Sequence, residues 1–165
     1  MDRFIELDTI AVVAITLAAL TSILAAVRGG QLYEWPPRFR LGFWMLVQYS
    51  LGALGFSFLP SLMRDFGITS WVGPVALLAL FQFISAVHFL RRHMKLEHTG
   101  DASRSRTLWS VGGITTFLTS MALAWSLFGG LGGPTYNLYH FGVLVCLVTS
   151  LGAFVGFLRL DPRAK

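Results

Sequence analysis

The stretch ALFQFISAVHFLRR (79–92) sets an amide, a hydroxyl and an imidazole into an apolar run that ends in two arginines: Gln82, Ser85 and His88. An uncharged amide or hydroxyl in such a setting can tie one helix to another by hydrogen bonds, or replace part of the hydration shell of a passing solute. An imidazole adds proton transfer near neutral pH. Steps of three and six residues keep the three side chains within about 120° of helical arc, so they share one broad face. Gln48, Thr116 and Ser150 are neutral polar residues in other apolar runs and raise the same question.

Catalysis within a membrane calls for paired carboxylates, a metal cluster, or a nucleophile beside a base. The long apolar runs contain no Asp or Glu, and enzymatic activity is not expected. The same lack weighs against a transporter coupled to protons or sodium, because coupling ions are commonly held by buried acids. The loop RRHMKLEHTGD (91–101) sets His93 and Glu97 at i and i+4, with His98 and Asp101 nearby. On a helix that spacing would bring two metal ligands together. The segment is basic and lacks a metal-site signature, so neither a metal nor another cofactor is expected. His88 and His140 fall near opposite faces of the membrane, which disfavours one bis-histidine haem or metal centre and leaves open ligation of a pigment or haem by a single histidine. Cys146 is the only cysteine, so no intramolecular disulfide can form, and it reads as a small core residue.

The elements that must position these residues follow from composition. The 165 residues are 55% hydrophobic and 13% charged, with mean hydropathy +0.65. Charge is about half the usual share of a globular protein. A spanning helix needs about 20 predominantly apolar residues, and the charge-free runs are 9–27, 41–63, 66–90 and 107–158. The last is too long for one span and is interrupted by FGGLGGPTYN (128–137), where glycines and Pro134 predict a turn; a simple hairpin is preferred there to a re-entrant or gating segment. The expected fold is an all-α integral membrane protein, a single transmembrane domain over residues 1–165. It has five transmembrane helices at about 9–27, 41–63, 68–90, 107–127 and 136–158. The opening MDRFIELD lacks the basic region of a signal peptide, and the first span is expected to be retained.

The net charge of +5 and pI near 10.0 invite a nucleic-acid reading, but the positions of the basic residues matter more than their sum. Arg28, Arg38 and Arg40 follow the first span; Arg91, Arg92, Lys95, Arg104 and Arg106 the third; Arg159, Arg163 and Lys165 the fifth. The positive-inside rule therefore predicts an external amino terminus and a cytoplasmic carboxyl terminus. Topology accounts for the basicity without nucleic acid. Anionic lipid headgroups at the cytoplasmic face are the expected partner, and a bacterial inner (plasma) membrane the expected location. WPP (35–37) reads as an interfacial elbow between the first two spans. Trp44, Trp71, Trp109 and Trp125 lie near span boundaries, as an aromatic belt requires.

VHFLR (87–91) recurs as VGFLR (155–159) at the ends of the third and fifth spans. This is a weak repeat that would make the chain one helix plus two parallel helical hairpins related about the membrane normal. At 1.5 Å per residue, Gln82 lies roughly 12 Å inside the cytoplasmic boundary, Gln48 about 10 Å and His88 about 3 Å. Gln48 and Gln82 are thus expected to meet, and Ser22, Ser85, Thr115, Thr116, Thr149 and Ser150 share their half of the membrane. Ridges of small residues run along the first, fourth and fifth spans: Ala14, Ala18, Ser22 and Ala26; Gly112, Thr116, Ser120 and Ala124; Gly142, Cys146 and Ser150, with Gly152 and Gly156 beyond. Such ridges let backbones approach closely. They are more than one five-helix monomer needs, so self-association or another membrane subunit is expected. The sequence leads to a homo-oligomeric channel passing an ion or small solute through the neutral polar belt. The alternative is a non-catalytic accessory or regulatory subunit of a larger membrane complex.

Overall fold

The structure is a computed structural model describing residues 2–28, 35–67, 70–98 and 106–159, with side chains described for 7–23, 35–37, 39–67, 70–95 and 111–156. Its described residues form five α-helices and no strand: α1 (Asp2–Arg28), α2 (Pro37–Asp65), α3 (Val72–His98), α4 (Arg106–Leu127) and α5 (Tyr136–Arg159). A short 3₁₀ turn (Gly130–Gly132) separates α4 from α5. Three helices are long and apolar enough to cross a membrane, over Phe39–Asp65, Val72–Lys95 and Tyr136–Gly156, and shorter apolar stretches occupy Leu7–Ile23 and Val111–Leu127. Large apolar side chains are exposed on all five helices, among them Val12, Leu51, Leu80, Leu118 and Val148. Soluble monomers rarely expose such extensive apolar surface, and the surface together with the helix lengths points to a membrane protein.

Helix boundaries follow local chemistry. Pro36 precedes α2 with φ −51° and ψ 141°, and Pro37 occupies its first turn, where a missing N–H removes no helical bond. Between α2 and α3, Gly67 takes φ +70°, a left-handed conformation that favours glycine. Between α4 and α5, Gly129, Gly132 and Gly133 all have positive φ, as does Leu131. The turn expected at 128–137 is therefore built on glycine backbone. Both α1 and α3 run further than the apolar runs require, α1 back to Asp2 and α3 on to His98.

Four helices form the body of the bundle. The most extensive contacts are α3 with α4 and α2 with α5, while α4–α5 and α2–α3 close the ring and α3 also touches α5. The first helix lies outside, against α2 and to a lesser extent α5. The core runs through Leu7, Ile10 and Ala14 of α1, Met45, Leu46 and Tyr49 of α2, Val75, Leu78 and Phe89 of α3, Leu123 of α4, and Tyr139, Val143 and Cys146 of α5.

Two glycines set how closely the helices approach. A Cβ on Gly52 would lie 2.5 Å from Phe81 Cζ, and one on Gly142 would lie 2.7 Å from Leu78 Cδ2 and 3.1 Å from Leu123 Cδ1. Gly52 thus admits an α3 aromatic ring, and Gly142 lets α5 meet α3 and α4 together. Trp71 packs on Tyr136 and Tyr139, with ring centroids 5.5 and 5.6 Å apart, so the starts of α3 and α5 share one end of the bundle. Trp35, Phe43 and Trp44 form edge contacts near the start of α2, at the other end.

Candidate functional site

The neutral polar residues are distributed over three levels. Nearest the Trp71 end, Tyr139 on α5 donates its hydroxyl to the Phe56 carbonyl on α2 at 2.6 Å. That carbonyl is available because Pro60, four residues on, has no N–H to give it. Spanning helices tolerate proline when a neighbouring helix satisfies the freed group, and here Tyr139 does so. Tyr139 was not singled out by sequence reasoning, although a proline inside an apolar span is itself the signal that a donor is needed.

At the middle level, Gln82 is fully buried, and its Nε2 donates to the Gly142 carbonyl at 2.7 Å and to Cys146 Sγ at 3.3 Å. It fastens α3 to α5. The expected contact between Gln48 and Gln82 does not form. Gln48 Nε2 instead donates to Ser85 Oγ at 2.7 Å, joining α2 to α3. Depth along a helix axis sets the level of a side chain and leaves its direction around the axis open. Two glutamines at similar depth therefore face different neighbours.

Toward the basic end, Thr116 on α4 donates to its own helix at Gly112 O, at 2.8 Å, and its hydroxyl lies 3.3 Å from that of Thr149 on α5. Ser150 donates to the Leu46 carbonyl of α2 at 3.2 Å, and Ser50 bonds the same carbonyl from within α2. Ser85, Thr116, Thr149 and Ser150 are all buried. The remaining belt members point elsewhere. Thr115, Ser22 and His88 are exposed, Ser22 bonding back to Ala18 O at 3.1 Å and His88 lying edge-on to Phe89 at 5.6 Å. His140 stacks on Tyr136 at 5.7 Å near the opposite end of the bundle.

The chain matches no family model, no curated protein and no solved structure. Its site must therefore be read from its own geometry.

The small-residue ridges divide between inside and outside. Ala14 is fully buried in the core, Ala18 is half-buried and Ser22 faces outward. Four-residue steps advance 400° around a helix with 3.6 residues per turn, so the ridge drifts about 40° per step and leaves the interface. Gly112 packs against Thr149, its Cβ position 3.6 Å from Cγ2, and Gly156 is buried. Gly152 has nothing within 4 Å of its Cβ position. It lies in an outward groove of about 460 Å³ along α5, flanked by Met45 of α2 and by Val111, Gly112 and Thr115 of α4. Ala26 falls outside the described side chains, as do Glu97, His98, Asp101 and Trp109. Among the described residues no group of three His, Cys, Asp or Glu side chains could hold a metal ion.

Proposed function

We propose that this chain is a non-catalytic accessory or assembly subunit of a membrane complex, either with itself or with another membrane subunit. All five helices span the bilayer in this reading, with the amino terminus outside. The clustering of Arg40, Arg91, Arg92 and Lys95 at the end of the bundle opposite Trp71 supports a cytoplasmic, anionic-lipid-facing location for that end, in an inner membrane. The packing of α2 on α5 and of α3 on α4 supports two parallel hairpins with α1 added outside.

The observation that carries the reading is that the buried belt amides and hydroxyls bond to one another and to backbone carbonyls. Groups bonded in this way fasten helices, and apart from the Gln82 side-chain oxygen, which no protein group meets, they have little capacity left to replace a solute's hydration. The outward groove around Gly152 supplies a surface on which another helix could pack. The competing reading, a channel for an ion or small solute, is favoured by the convergence of Gln48, Ser85, Thr116 and Ser150 in one half of the bundle.

Two measurements test the reading: native mass tests assembly, which a homo-oligomeric channel would share, and flux separates the accessory subunit from the channel. Native mass in mild detergent is expected to exceed that of the monomer, or to do so once a partner is co-expressed, and Gly152→Trp is expected to reduce it. Liposomes holding the wild-type chain alone are expected to show no flux under ion, voltage, pH or small-solute gradients. Flux that falls in the Gln48→Leu, Gln82→Leu double variant, with native mass unchanged, would overturn the accessory reading in favour of the channel.

A further inference from the structure

The outward groove of about 460 Å³ runs along α5 from Phe141 to Ala153, between Met45 of α2 and Val111, Gly112 and Thr115 of α4. Its volume is that of a small-molecule site. The lining is apolar except for two threonines, and the hydroxyl of one, Thr149, lies 3.3 Å from that of Thr116. Gly152 keeps the floor open, with nothing within 4 Å of its Cβ position. From Phe141 to Ala153 α5 rises about 18 Å. One leaflet contributes about 15 Å to a hydrocarbon core of about 30 Å, whereas a spanning helix needs the whole thickness. The groove thus has the length of one extended acyl chain and is too short to seat a spanning helix along its full course.

The chemistry at its basic end selects the lipid. Phe141, Val148 and Gly152 form a stripe at steps of seven and four residues, and a further step of seven reaches Arg159, the last residue of α5. On α2, the same step back from Met45 reaches Arg38, in the first turn. The bond from Ser150 to the Leu46 carbonyl sets those two residues at one level. Arg38 lies eight residues from Leu46 and Arg159 nine from Ser150, about 12 and 14 Å away, so the two helices bring their arginines to nearly the same depth. Arg106 opens α4 six residues before Gly112, which packs on Thr149. Each helix lining the groove therefore carries an arginine just past its basic end. Around these positions the sequence (28–40, 104–106 and 159–165) holds eight basic residues against Glu34 and Asp161. The step from Ala153 to Arg159 is about 9 Å, comparable to the interfacial layer of about 5–8 Å that separates acyl chains from headgroups. Basic pockets between spanning helices at a cytoplasmic face bind anionic headgroups. We propose that the groove holds one acyl chain of an anionic phospholipid, whose phosphate lies at the level of Arg38, Arg106 and Arg159.

This site rests on the reading of the basic end as the one that meets anionic lipid, and a partner helix on this side packs over the bound chain. The full chain is equilibrated in mixed micelles with equal phosphatidylglycerol and phosphatidylcholine, exchanged into lipid-free detergent, and its retained lipid counted by native mass spectrometry. About one phosphatidylglycerol per chain is expected, in preference to phosphatidylcholine. Arg38→Gln with Arg159→Gln is expected to lower that preference by roughly 5- to 30-fold, the effect of one to two basic residues near a membrane surface. Gly152→Trp and Thr115→Trp, which fill the groove from α5 and from α4, are each expected to lower retention of both lipids several-fold; Thr115 is exposed, so its variant keeps the fold if the other does not. Equal retention of the two lipids by the wild type overturns the headgroup site, and retention unchanged by Thr115→Trp overturns the groove. Tryptophans that lower native mass while retention stays the same put a helix in the groove in place of lipid. Micelles have no sidedness, so a reversed orientation in the membrane leaves these results unchanged and shows only in labelling of intact cells.

Discussion

Removing the Tyr139 hydroxyl should be costly only while Pro60 is present. The hydroxyl lies 2.6 Å from the Phe56 carbonyl, at the short end of the O–H···O range, and Tyr139 is fully buried, so no solvent takes its place. Tyr139→Phe leaves a buried acceptor unmet, at a cost of about 1–3 kcal/mol. Pro60→Ala supplies the missing N–H to the same carbonyl, since residue 60 is four beyond residue 56. In that background Tyr139→Phe loses one net hydrogen bond and orphans nothing, at a cost of about 0.5–1 kcal/mol. The expected coupling between the two sites is therefore about 1–2 kcal/mol, inside the range found for residues sharing one network. Reversible unfolding of the four proteins in mixed micelles, with each folded state checked by native mass, measures it. An equal cost of Tyr139→Phe in both backgrounds would refute the idea that Tyr139 serves the carbonyl freed by proline.

Gly142→Ala should destabilise by about 1–3 kcal/mol through overpacking against Leu78 and Leu123, whereas Gly152→Ala, with nothing near its Cβ position, should leave monomer stability within about 0.5 kcal/mol; micelle unfolding reads both. Gln48→Leu alone should cost about 1–2 kcal/mol by leaving the buried Ser85 hydroxyl without its partner, and Gln48→Leu with Ser85→Ala should recover most of that. The Cys146 thiol is fully buried, so a membrane-permeant maleimide should fail to label the folded chain and should label it after denaturation. A cysteine placed at residue 102 in a Cys146→Ser background should be closed to impermeant reagents from outside intact cells; external labelling would reverse the orientation.

Much of the fold was legible because bilayer thickness and backbone chemistry act locally. Runs of apolar residues set where α2, α4 and α5 lie to within a few residues, and Pro36, Gly67 and the Gly129–Pro134 segment mark the breaks by mechanisms that need no tertiary partner. The polar connections were less legible. Gln48 and Gln82 were placed at one level, yet one bonds to Ser85 and the other to α5, because neighbour identity depends on rotation about each helix and on which helices adjoin. The same freedom turns Ser22 and Thr115 outward from a belt to which depth alone assigns them. Gly52 escaped notice because nothing in the run Gly52, Ala53, Gly55 tells which of the two glycines an aromatic ring from α3 lies against; the ring meets Gly52, and nothing lies near the Cβ position of Gly55.

The packing order also bears on synthesis. α2 makes its most extensive contact with α5, the last of the five described helices in chain order, and among the described residues its Phe56 carbonyl is met only from that helix. Until α5 enters the bilayer, α2 has α1 as its main neighbour and a proline-interrupted backbone with no partner at one carbonyl. The peripheral first helix is thus the neighbour that covers α2 while the later helices are still being made. Closure of the bundle then waits on α5, and truncation before Tyr139 would leave the four earlier helices present and the Phe56 carbonyl without its donor.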